Sequence, residues 1–157
     1  MEATSHSELP QQLEVAKKTS ISDLSPDLQE LPTRAVRGVV TITWPYNSVK
    51  NSFAFILAEP DFRLRRNKGQ VRVNFTGPAA KIVGECGLGG NDEICLSLDG
   101  ADWVPEETKK RQSLPGAGID WQLKFSHKLT LQVSAAHLPC SPCLPKYLYR
   151  HSSLTNF

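Results

Sequence analysis

Trp44, Tyr46, Phe62, Phe75 and Trp103 are interleaved along the chain with Arg63, Arg65, Arg66, Lys68, Arg72 and Lys124. Aromatic rings beside a cationic track suit single-stranded nucleic acid, because bases stack on the rings, at about 1–3 kcal/mol per base, while the cations neutralise phosphate. Thr43 and Asn74, on the polar sides of the strands that carry these rings, add hydrogen-bonding groups to the candidate set. From Arg34 to Val133 there are fourteen Lys and Arg against ten Asp and Glu, a local surplus in a chain of net charge only +2. The run Arg63 to Lys68 taken alone reads equally well as a solvated hairpin tip, and Trp44 and Phe75 share parity with core residues. It is the coincidence of rings and cations that favours binding.

Other chemistries find less support. Gly84, Gly87, Gly89 and Gly90 lack the Lys-Ser/Thr of a phosphate loop and follow a helix instead of opening one. The four histidines are scattered, and Asp92-Glu93 would point to opposite faces of a strand, so the expectation is a protein that is not an enzyme and takes no small-molecule substrate. His137, Cys140, Cys143 and His151 are four nominal zinc ligands, but Pro139, Pro142 and Pro145 flank them and the Cys-to-His spacing is short. Neither a metal nor another cofactor is expected. The cysteines read as reduced thiols. No apolar run approaches the roughly eighteen residues of a membrane helix, and the first thirty residues lack the order of a signal peptide, which together predict an intracellular protein without a membrane partner.

The elements that must position these residues follow from their spacing. Residues 1–33 are rich in Ser, Thr, Glu, Gln and Pro, with six acids against two lysines up to Pro32, and read as a disordered acidic leader. Residues 34–134 read as one domain. From Arg34 the apolar residues Val36, Val40, Ile42 and Trp44 alternate with Arg37, Thr41 and Thr43, a period-two strand. The stretch Ser52 to Pro60 is apolar on both parities, which predicts a strand covered on both faces. Val71, Val73 and Phe75 alternate with Arg72, Asn74 and Thr76 in a third strand; Gly77-Pro78 then opens a short helix that stops near Gly87. Ile94, Leu96 and Leu98 mark a fourth strand. A polar loop from Gly100 to Asp120 leads to a fifth strand from Trp121 to Val133, with a bend around His127. Residues 135–157 form a Pro- and Cys-rich tail with no strand pattern. This order predicts an all-β, five-stranded OB-fold Greek-key barrel, with one short helix between strands three and four and disordered termini.

Three stretches resemble the N-terminal OB domain of the protection of telomeres family, especially its fungal members: Gly38-Val39-Val40 running into Trp44-Pro45-Tyr46; Val73-Asn74-Phe75-Thr76-Gly77; and Gly90-Asn91-Asp92-Glu93-Ile94. With the long loop and the Leu123-Lys124-Phe125 strand they span about a hundred residues. The resemblance implies a nuclear protein at chromosome ends, bound to the single-stranded G-rich telomeric overhang and associated with other telomere proteins. It implies that Phe75 stacks on a base and that Trp103 lies near a second stacking position. A protein-docking barrel and a general single-strand binder remain the alternatives that the residues themselves leave open.

Overall fold

The computed structural model describes residues 16–85, 87–106 and 118–134, and the backbone of 146–151. Its described strands make one mostly antiparallel sheet in the order β6-β7-β4-β3-β2-β5-β8-β9, with β1 beside β2. The strands are β1 (Lys17–Lys18), β2 (Arg34–Asn47), β3 (Ser52–Ala58), β4 (Gln70–Thr76), β5 (Glu93–Ser97), β6 (Asp102–Pro105), β7 (Trp121–Phe125), β8 (Lys128–Ser134) and β9 (Lys146–His151). Among the described residues two α-helices interrupt them, α1 (Phe62–Arg65) and α2 (Gly77–Glu85). Nine strands therefore stand among the described residues where five were expected. The difference lies in the short β1, in β6 and β9, and in the predicted fifth strand, which breaks at Ser126 and His127 into β7 and β8.

The alternation on β4 is as the sequence predicts: Val71, Val73 and Phe75 are buried while Arg72, Asn74 and Thr76 are half-buried on the other face. β3 is buried from Phe53 to Ala58, as its two apolar parities require. Phe53, Phe55, Phe75 and Phe125 join ring to ring at the centre, with Phe75 and Phe125 stacked at 5.7 Å between centroids. Ala79, Ala80 and Val83 of α2 pack into the same core. Gly38 is small for a reason, because a Cβ there would fall 2.7 Å from the Ala58 carbonyl oxygen of the neighbouring strand.

Residues 16–33 depart from the expected disordered leader. β3 pairs with β2 only from Val39 onward, and β1 lies parallel to β2 at Arg34 and Ala35, where β3 has ended. Thr19 then donates its amide to the Ala35 carbonyl at 2.8 Å, and Ile21 donates its amide to Glu59 Oε1 at 2.9 Å. These bonds seat Ile21 and Leu24 in the core, 0% and 3% exposed. The domain thus begins well before Arg34. At the other end, the backbone of β9 pairs antiparallel with β8, a strand that the tail's composition did not predict. His137, Cys140 and Cys143 lie outside the described residues, as does Cys86. Among the described residues no group of three or more His, Cys, Asp or Glu is placed to hold a metal, and no helix is long and apolar enough to cross a membrane.

Candidate nucleic-acid interface

An irregularity in β2 decides which side chains reach the surface. Val40 pairs with Leu57 but Ile42 pairs with Ile56, so one extra residue, Thr41, has been inserted into β2. Because side chains alternate with period two, one inserted residue exchanges the two faces. Val40 stays in the core, whereas Ile42 and Trp44 turn outward and Thr43 comes opposite the buried Phe55. Trp44 shares sequence parity with core residues yet is 37% exposed, and Thr43 sits on the inward side of the strand instead of the polar one.

A second shift between Trp44 and Asn47 turns Tyr46 away from Trp44. Its ring lies over α2, where a Cβ on Gly84 would be 2.7 Å from Tyr46 Cβ, and its hydroxyl bonds Asn51 Oδ1 at 2.8 Å. Tyr46 therefore lines a different cleft, with Pro78, Lys81 and Ile82, and does not join Trp44.

Outward-facing side chains of β2, β4 and β7 converge on Trp44. Arg72 lies over the Trp44 ring with its guanidinium carbon 4.3 Å from the ring centroid. Its Nε donates to Asn74 Oδ1 at 3.0 Å, Asn74 Nδ2 donates to Gln122 Oε1 at 2.7 Å, and Gln122 Nε2 donates to Glu106 Oε2 at 2.9 Å. Stacked on one side and bonded at Nε, Arg72 is fixed before any ligand arrives, which lowers the ordering cost of binding. Lys124 lies beside Asn74 in the parallel β4–β7 register, with Asp102 across from it on β6. Trp44, Arg72, Asn74 and Lys124, with Lys50 from the turn before β3 and Val104 from β6, line a groove of about 520 Å³.

Beyond the Trp44–Arg72 pair lies a second cleft of about 680 Å³, whose apolar floor is Ile42 and Ala58 and whose wall is α1. α1 occupies the basic stretch that read as a loop. Asp61 caps it, its Oδ1 accepting from the Arg63 amide at 2.9 Å. Asp61→Ala should loosen α1 by about 1 kcal/mol, seen as roughly fivefold faster amide exchange at Arg63 and Leu64; unchanged exchange would remove the cap from the account. Arg65 Nε donates to the Glu59 carbonyl at 2.6 Å, and its guanidinium lies 4.1 Å from the centroid of Phe62, a ring 73% exposed. Among the described residues Lys50, Arg63, Arg66, Lys68 and Lys124 form no salt bridge, whereas Arg37 is paired with Glu93 and Lys128 with Asp99 elsewhere on the sheet.

Of the expected contacts, Trp44, Arg72, Asn74 and Lys124 share the groove, which Phe75 also borders, and Phe62, Arg63, Arg65 and Arg66 share the adjoining cleft. Lys68 is exposed in the turn after α1. Phe75 requires correction: its side chain is 0% exposed, enclosed by Phe53, Phe55 and Phe125, and no base can stack on it in this arrangement. Trp103 is not in an irregular loop but on β6, where it packs partly against the core opposite Leu123, its Nε1 buried and without a hydrogen-bond partner among the described residues. Lys50 and Ile42 were missed. Lys50 was discoverable as a cation in the turn after the first strand; Ile42 was hidden by the parity that the Thr41 insertion reverses. Residues 15–139 match the model of a family described as a domain of unknown function (DUF8502), a range that takes in Ile21, Leu24 and strands β1 to β8. No curated protein and no solved structure matches the chain.

Proposed function

We propose that this chain, which belongs to the DUF8502 family, is an OB-type barrel that binds single-stranded DNA across the outward face of β2, β4 and β7. The barrel reading is supported by connectivity. β2, β3 and β4 are successive antiparallel neighbours, β4 is parallel to β7, and β8 returns through β5 to β2. Only Ser126 and His127 separate β7 from β8, so counting them as one bent strand makes a ring of five, with α2 between the third and fourth. On such a ring the groove lies between the turn after the first strand, which carries Lys50, and the segment before the fifth, which carries Val104. Those are the positions at which OB folds hold oligonucleotides.

The observation that carries the reading is the fixed Trp44–Arg72 pair on a sheet face, flanked by cations that form no salt bridge among the described residues. A planar base gains from the ring and guanidinium, phosphates from Lys50, Lys124 and α1. The sequence resemblance selects the ligand: the G-rich telomeric strand, in the nucleus at chromosome ends, in the company of telomere proteins. Fluorescence anisotropy of labelled telomeric-repeat DNA against the full chain tests this directly, with scrambled DNA and RNA as competitors. Lys50→Ala and Lys124→Ala should each reduce the slope of log affinity against log salt by about 0.7. Equal competition by every oligonucleotide would leave a general single-strand binder. No binding at low salt would overturn the reading and favour a protein ligand.

A further inference from the structure

The cleft beside α1 differs from the groove in kind. The groove is lined largely by polar side chains, whereas the cleft has an apolar floor of Ile42 and Ala58, the exposed Phe62 ring on its wall and Arg63 and Arg66 at its rim. A volume of about 680 Å³ is within the range of sites that enclose a small organic molecule. Apolar floor, aromatic wall and cationic rim are together the complement of one nucleotide, a planar base attached to a phosphate. The cleft also lies in line with the groove. Gln70 at its edge and Asn74 in the groove are four residues apart on β4, about 13 Å of strand. Arg72 and Trp44 form the ridge between them.

We infer that the α1 cleft receives a single unpaired base of the bound strand, which leaves the groove at the Trp44–Arg72 ridge and sets the register of the rest. The inference rests on the single-strand reading above. The base lies against Phe62 and Ile42, and its phosphate is held by Arg63 and Arg66. Phe62 is suited to this because Arg65 covers one face of the ring while most of its surface is open to solvent. Arg65 is itself tethered to the Glu59 carbonyl, so the wall is rigid before the base enters.

The test uses the full chain and a set of labelled telomeric-repeat oligonucleotides, each with one abasic residue at a successive position. The unmodified protein should show one position, or two adjacent ones, at which the missing base weakens binding about fivefold or more. In Phe62→Ala that position-specific penalty should fall below about twofold, with the penalties elsewhere on the strand unchanged. Phe62 is 73% exposed, and an unchanged thermal midpoint for the variant confirms that only the wall has been removed. Oligonucleotide binding with the same abasic profile in both proteins overturns the cleft assignment and leaves the groove reading intact. Absence of binding by the unmodified chain overturns both.

Discussion

Phe75→Ala is expected to cost about 3–5 kcal/mol of unfolding free energy, enough to remove a large share of the stability of an ordinary domain. The ring is 0% exposed and meets three other phenylalanines, with centroids 5.5 Å from Phe55, 5.7 Å from Phe125 and 6.3 Å from Phe53. Removing it leaves a cavity lined by rigid rings that cannot easily close around the void, the situation in which the penalty is largest. Denaturant unfolding followed by tryptophan fluorescence would measure it. The resemblance to telomere-binding domains assigns this position to base stacking, and there the two accounts part. A base-stacking Phe75 loses affinity on truncation and leaves the unfolding midpoint where it was; a core Phe75 shifts the midpoint and changes affinity only through the folded fraction.

Trp44→Ala should behave in the opposite sense. Its ring is partly exposed and supports Arg72 on the outward side of the sheet, so stability should change little. Binding of single-stranded DNA should weaken by about 1–3 kcal/mol, or roughly 5- to 150-fold, as one stacking platform is lost. Arg72 keeps its bond to Asn74 in this variant but loses the ring that holds its plane. Trp44→Phe retains a platform and should recover most of the affinity. Equal affinity for all three proteins would exclude the Trp44–Arg72 pair as the binding centre.

The elements that carry these residues were legible where burial imposes a simple period. Alternation marked β4 and the β7–β8 strand, including its bend near His127, and apolar residues on both parities marked β3 as covered on both faces. Three kinds of feature were not legible. The Thr41 insertion reverses parity without any Gly or Pro to announce it, so Trp44 shares sequence parity with core residues, and Tyr46 is turned aside by the separate shift between Trp44 and Asn47. Ile21 and Leu24 are isolated apolar residues in a polar stretch, and their burial depends on long-range bonds to Ala35 and Glu59 that local composition does not encode. Phe75 could be read as core by parity or as surface by resemblance, and the sheet resolves it for the core.

The β4–β7 seam brings together residues far apart in the chain, as in the hydroxyl contact between Thr76 and Ser126, fifty positions apart at 2.8 Å. Such contacts form only after a long stretch of chain has lost its freedom, so topologies rich in them fold slowly, on the order of milliseconds to seconds. Asn74 and Lys124 stand on opposite sides of that seam. A strand of DNA lying across both would act as a clasp, and its presence should lower the unfolding rate measured by stopped flow more than it raises the folding rate. Occupancy would then lengthen the lifetime of the folded sheet itself.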